Sequence, residues 1–309
     1  MGTTAQKLNK ILETKEAIRT AINNKGGTLT TTDTFASYPS AIDSLPSGGG
    51  DPLKEFLDEA KSASYLFSGR TYNSGEYSVW YYYLTYERLQ KILNYDTTSS
   101  VTNMNGMFYY CNKLTEIPLI DTSQVKLMNY TFYYCENLIT FPQLDTSNVT
   151  GMIYTFYGCK KLATISQLNT SNVGSLSNTF AECNSLETIP QLNTSKVRSM
   201  YNTFQSCHKL RKIDITHMNS STGDTWGLAN NCYSLMKFII RNMNSIPELN
   251  TNAFNGCYHF TGTTDATYNP QGLKDGRIYV PDDKVDALKT ESGWSTYADI
   301  IVPLSTLQE

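Results

Sequence analysis

From Asp96 to Phe260 the apolar positions return on a fixed beat. In the specimen from Asp145 to Leu168, Val149, Met152, Phe156 and Cys159 stand at offsets 0, 3, 7 and 10, the spacing of one helical face. Leu162, Ile165 and Leu168 follow, and suit a short extended segment turning inward. The unit repeats around Cys111, Cys135, Cys159, Cys183 and Cys207, each 24 residues apart, then around Cys232 and Cys257 at 25. Phe108, Phe132, Phe156, Phe180, Phe204 and Phe254 lie three residues before a cysteine, with Ala229 the exception. Leu114, Leu138, Leu162, Leu186, Leu210, Leu235 and Phe260 lie three after.

Polar positions repeat too. Asp121-Thr122-Ser123, Asp145-Thr146-Ser147, Asn169-Thr170-Ser171 and Asn193-Thr194-Ser195 fill one slot. These residue types cap a helical turn by accepting its orphaned N–H bonds. Each copy therefore predicts a capped helical turn plus a strand, with successive strands parallel and ~4.8 Å apart. A period in the twenties marks a solenoid, whose units bury their core only against their neighbours. The predicted fold class is α/β, a solenoid of about seven 24–25-residue repeats over residues 96–260. The sixth and seventh copies depart from the pattern: Gly223-Asp224-Thr225-Trp226 is irregular and Ala229 lacks the ring, so the stack is expected to widen or kink there.

The flanks read differently. Leu8, Ile11, Leu12, Ile18 and Ile22 fall on one face of a helix that Gly26-Gly27 ends. That stripe either packs on Phe35, Tyr38, Ile42 and Leu45, or serves self-association or attachment to a larger particle. Residues 1–46 are thus a small helical N-terminal module, and 47–52, Ser-Gly-Gly-Gly-Asp-Pro, a flexible linker. Residues 53–95 form an N-terminal cap, and their aromatic run, Tyr77, Trp80, Tyr81, Tyr82, Tyr83 and Tyr86, covers the first rung or offers a ligand platform. Residues 261–309 form a C-terminal cap: a strand at 276–281, a short helix at 282–288, and an apolar lid from Trp294, Tyr297, Ile300, Ile301 and Val302.

Composition narrows the function. A net charge of −3 gives no electrostatic case for nucleic acid or an anionic membrane. No apolar run approaches the roughly 18–20 residues that span a bilayer, so membrane insertion is not expected. The first residues lack the apolar core of a secretory signal, so any export is expected by another route. The seven cysteines are odd in number and occupy one column, which reads as buried thiols rather than a disulfide framework. Their spacing is wrong for zinc, although His208 and His259 stand beside Cys207 and Cys257. No phosphate loop, metalloprotease motif or calcium loop is present, and no metal or cofactor is expected. The Asp-Thr-Ser triplet resembles a protease nucleophile loop, but Asn replaces Asp in two copies, which a catalytic carboxylate would not permit. The chain is read as a non-enzyme.

In a repeat stack the positions that vary carry recognition. Tyr109, Tyr110, Tyr130, Tyr133, Tyr134, Tyr154 and Tyr157 cluster in the early copies, where later ones place Ala181, Glu182, Gln205 and Ser206. Exposed rings give rigid amphipathic contact area for a protein or glycan, or else pack side by side as surface ladders. On the strand side Glu116, Thr140, Thr164, Thr188 and Lys212 form a mostly polar row near Arg211, facing a ligand or solvent.

Two resemblances extend this. Leu144-Asp145-Thr146-Ser147-Asn148-Val149-Thr150, then Met152, Phe156 and Cys159, resembles the BspA-type leucine-rich repeats of bacterial surface proteins. That implies a leucine-rich-repeat solenoid used for adhesion, without enzyme activity. Residues 8–19 and 34–42 resemble the N-terminal segment of many bacteriophage tail and fibre proteins, which implies attachment to other virion proteins through 1–46. The expected function is a phage virion protein whose repeats bind a host cell-surface protein or glycan. A bacterial cell-surface adhesin and a purely structural virion decoration or joint are the alternatives.

Overall fold

The computed structural model describes residues 101–308 except 113, 118, 119, 142, 143, 166 and 219–221, together with Thr20 and Asn23. Apart from those two residues, the module at 1–46, the linker at 47–52 and the cap at 53–95 lie outside the described residues, as do Leu8, Ile11, Leu12, Ile18 and Ile22.

Between Val101 and Phe260 the chain coils over itself once per copy. Met107, Tyr109 and Cys111 each donate a backbone N–H three residues back, to Met104, Gly106 and Phe108. The residues between them do something else: Gly106, Phe108 and Tyr110 donate to the carbonyls of Asn129, Thr131 and Tyr133 in the next coil, at 2.7–2.9 Å. The same alternation follows in later copies, for example Tyr130, Phe132 and Tyr134 donating to Ile153, Thr155 and Tyr157. The expected helical turn is therefore a ribbon of tight turns. A helix directs its N–H groups along its own axis, and cannot hydrogen-bond sideways at alternate residues.

What turns those groups outward is a left-handed residue at two places in a copy, five before and one before the cysteine. Gly106 and Tyr110, Tyr130 and Tyr134, Tyr154 and Gly158, Asn178 and Glu182, Asn202 and Ser206, and Gly227 and Asn231 all have φ between 50° and 72°. The interior remains apolar. Val149, Met152, Phe156, Cys159 and Leu162 are fully buried, and so are their equivalents in the neighbouring copies around Cys135 and Cys183. Phe108, Phe132, Phe156, Phe180 and Phe204 stack in one column with ring centroids 5.3–5.6 Å apart and planes within 10°.

The cysteine column has its own bond. All seven are buried and free. Cys135, Cys159, Cys183, Cys207, Cys232 and Cys257 each donate the thiol to a carbonyl one coil back, that of Phe108, Phe132, Phe156, Phe180, Phe204 and Ala229, at 3.0–3.2 Å. A small apolar side chain with a weak donor suits that slot. Beside it, buried Thr131 and Thr155 lie within 2.7–2.9 Å of carbonyls in their own and the preceding coil. In the triplet slot Asp145 Oδ1 accepts from Ser147 N–H (2.9 Å), with Asp121, Asn169 and Asn193 alike, so the side chain caps a turn rather than a helix.

The strand side changes along the stack. Early copies make single parallel bridges, Thr140 to Thr164 and Thr164 to Thr188. Full strands begin later, and β1 (Lys212–His217), β2 (Lys237–Asn242), β3 (Arg277–Val280) and β4 (Ile301–Pro303) form a parallel sheet in that order. Pro190 stands seven residues after Cys183, as Asp214 of β1 stands seven after Cys207, and proline has no N–H for a ladder. Ile213, Phe238, Ile278 and Ile301 align across the sheet, buried in the core. Ala229 is fully buried, and in its copy Phe238 stands where the two preceding ones have Ile189 and Ile213, meeting Phe254 edge-on at 5.0 Å. A ring lost in one column is thus replaced in another.

Two short helices, α1 (Tyr258–Thr261) and α2 (Val285–Thr290), belong to the C-terminal part. Trp294, Tyr297 and Ile300 are buried there, and the indole donates to Pro247 O at 2.8 Å. Val302 is half-buried. No helix among the described residues is long and apolar enough to cross a membrane.

Candidate functional site: a tyrosine ladder

The seven singled-out tyrosines come together on the turn side as one cluster. Tyr109, Tyr133 and Tyr157 stack at 4.7 and 5.1 Å. Tyr110 stacks on Tyr134 at 5.2 Å, and Tyr130 on Tyr154 at 4.9 Å. Edge contacts tie the columns together, and Tyr133 is the hub, with Tyr110, Tyr130, Tyr134 and Tyr154 all within 5.9 Å. The rings do pack as ladders, and they still reach solvent: Tyr130 is 37% exposed and the other six are half-buried.

Four of these residues, Tyr110, Tyr130, Tyr134 and Tyr154, occupy left-handed positions. For an L-residue that conformation costs roughly 1–2 kcal/mol, and a bulky side chain there is an outlier. Elsewhere the same two columns use Gly106, Gly158, Asn178, Asn202, Gly227 and Asn231, with Glu182 and Ser206 the exceptions. The backbone alone asks for glycine or asparagine, so the rings are present for what their side chains do.

The ladder ends at the fourth coil. Glu182 reaches back to accept from Tyr157 Oη at 2.6 Å and Tyr134 Oη at 3.3 Å. Gly158 leaves room for the Tyr134 ring, since a Cβ there would lie 2.6 Å from it. Lys160 bonds Glu136 at 2.8 Å, which raises its pKa, and its Nζ stands 5.8 Å from the Tyr134 ring centroid. Burial pushes the phenols of Tyr130, Tyr133, Tyr134 and Tyr157 up, with the Glu182 charge adding to the last three. Their hydroxyls therefore remain protonated donors at any physiological pH. Chemically, the face is a preorganised aromatic slab with hydroxyl donors on its rim.

Sequence reasoning found the rings and missed their supports, Gly158 and Lys160, and the role of Glu182 as terminus. The signal was available in the recurrence of Gly, Asn or Ser five or one residue before every cysteine but Cys135, which marks left-handed backbone. The strand-side row is brought together only in part. Thr140, Thr164 and Thr188 are bridged and exposed, and Glu116, Arg211 and Lys212 are exposed as well. Behind that row lies a feature no motif announced: buried Asp214 takes a bidentate bond from Arg241 (2.7 and 2.9 Å) and one from Gln191 (3.0 Å). A second stack, His208, Tyr233 and Tyr258 at 4.5 and 4.8 Å, lies one residue after the cysteine in the late copies. His259, on α1, bonds Asp275 and Tyr268 O. Among the described residues no group of three His, Cys, Asp or Glu is placed to hold a metal.

No curated protein matches the chain. Residues 79–162 and 139–234 each match the family model described as Mycoplasma protein of unknown function, DUF285. The two matches overlap at residues 139–162, the coil that carries Tyr154 and Tyr157, and together span just over half of the sequence. The chain belongs to the DUF285 family.

Proposed function

We propose that this chain is a binding protein without catalytic activity, a BspA-type leucine-rich-repeat solenoid carried on a bacteriophage virion by residues 1–46. Its tyrosine face engages the host cell surface. One observation carries the reading: four tyrosines sit where the backbone favours glycine or asparagine, and all seven rings converge on one partly exposed face. Rings held by their neighbours lose little freedom on contact, which favours affinity. The virion assignment is supported by the resemblance of residues 8–19 and 34–42 to phage tail and fibre segments.

A second reading, an adhesin on a bacterial cell surface, is favoured by the family description, which names Mycoplasma. Labelled full-length protein, titrated onto a panel of bacterial cells that includes mollicutes, tests the binding role. Tyr130→Ser combined with Tyr154→Ser is expected to weaken retention about tenfold or more, a difference of about 1.4 kcal/mol. Equal retention of the variant would remove the ladder from the site. Immunogold labelling of purified particles separates the two readings, because the protein would decorate virions in the first and uninfected cell envelopes in the second.

A further inference from the structure

The column five residues before the cysteine begins with Gly106 and continues with Tyr130 and Tyr154. Tyr154 covers one face of Tyr130, at 4.9 Å and 10°. On the other side stands Gly106, with the same left-handed backbone (φ 65°) and no side chain. A Cβ there would meet no atom of the described residues within 4 Å. Among the described residues, the face of Tyr130 turned toward Gly106 therefore has no ring against it, and Tyr130 is the most exposed of the seven tyrosines.

Amide donors accompany that column. Asn105, just before Gly106, uses its Oδ1 to accept from Asn129 N–H at 2.8 Å. Asn129, just before Tyr130, does the same for Ile153 N–H at 2.9 Å. The backbone donors fix the orientation of both carboxamides. Neither Nδ2 has a hydrogen-bond partner among the described residues. Rings and amides thus run side by side on the pitch of the coils.

We propose that Gly106, Tyr130 and Asn105 form a subsite for one pyranose ring of a surface glycan, with Asn129 serving the next sugar along. This deepens the binding role given above and rests on it. A pyranose carries an apolar C–H face, which suits the open face of Tyr130, and a rim of oxygens, which suits the amide donors. An aromatic side chain from a protein partner would fill the gap but leave the amides without acceptors, a desolvation cost when they are covered. The central ring, Tyr133, is closed to such stacking, because both its faces are taken by Tyr109 and Tyr157.

The test uses the full chain and saturation-transfer NMR with methyl pyranosides of glucose, galactose, mannose and N-acetylglucosamine, and a linear N-acetylglucosamine trisaccharide. At least one of these is expected to receive saturation from the protein. Gly106→Tyr is expected to abolish the signal by filling the gap, and the fold tolerates that side chain at φ 58° in Tyr130 and Tyr154. Tyr130→Ser is expected to weaken the same sugar about tenfold, and Asn105→Asp, which keeps the oxygen that accepts from Asn129 N–H and removes the amide donor, severalfold. Silence from every probe, or undiminished binding in Gly106→Tyr and Tyr130→Ser, would overturn the proposal. If the intact chain binds cells while all the sugars stay silent, the sugar assignment falls and the ladder reading stands. If it binds neither, both fall.

Discussion

In the coils around Cys111, Cys135 and Cys159 the left-handed positions carry tyrosine four times, whereas those around Cys207 and Cys232 carry Asn202, Ser206, Gly227 and Asn231. The early region accepts backbone strain of roughly 1–2 kcal/mol per tyrosine, and ring stacking returns about 0.5–1.5 kcal/mol per pair. The late region places smaller residues there and adds full strands and the buried Asp214–Arg241 pair, neither of which occurs among the described residues of the early one. One backbone design thus supports a half shaped for its surface and a half shaped for its sheet.

The interior they share gives the largest expected effect. Phe156→Ala should cost about 3–5 kcal/mol, because its ring is fully buried between Phe132 and Phe180. Phe238→Ala should match it if Phe238 carries the role that Ala229 gives up, and urea midpoints of the two variants compare the halves directly. Glycine at a left-handed position comes next. Gly227→Ala forces φ 61° on a side chain and drives its Cβ into Asn202 Oδ1, for a loss of about 1–3 kcal/mol. Tyr130 holds the same conformation in the early half, so a neutral Gly227→Ala would show that neither φ nor the contact with Asn202 costs stability.

Acid should separate the halves further. Burial opposes ionisation of Asp214, but the bonds from Arg241 and Gln191 outweigh it and hold the carboxyl below its ordinary 3.8. A folded value below the unfolded one gives stability that is complete above about pH 4 and fades as pH falls through the folded value. Asp214→Asn should flatten the pH dependence of the urea midpoint between about pH 2 and 4. An unchanged slope would mean that the pair adds nothing to the late half. The smallest effect belongs to Tyr134→Asn, where relieved strain and lost stacking offset each other, for a net change within about 1 kcal/mol. A large loss in its calorimetric midpoint would show the ladder to be structural.

The buried columns were legible in the sequence because one phenylalanine, one cysteine and one leucine recur at constant spacing, and burial follows that spacing coil after coil. The turn ribbon was not, since offsets of 0, 3, 7 and 10 place Val149, Met152, Phe156 and Cys159 on one side of a helix and of this ribbon alike. Tyrosine hid the left-handed positions, which Gly106, Gly158, Asn178 and Asn202 would have revealed if read as one class. On the strand side, Thr140, Thr164 and Thr188 make single bridges, whereas the Ile-rich segments at 212–217 and 237–242 form strands. Of the candidate site, the ring positions were readable but the Gly106 gap was not, because an absent side chain leaves no apolar mark.

The sulfur column has one last consequence. Burial raises the thiols of Cys159, Cys183, Cys207, Cys232 and Cys257, and the thiolate is the form that reacts. Alkylation of any of them must wait until its own coil opens, so residue-resolved labelling by mass spectrometry would read out fraying rung by rung. The chain carries its own set of clocks, spaced evenly from one end of the pile to the other.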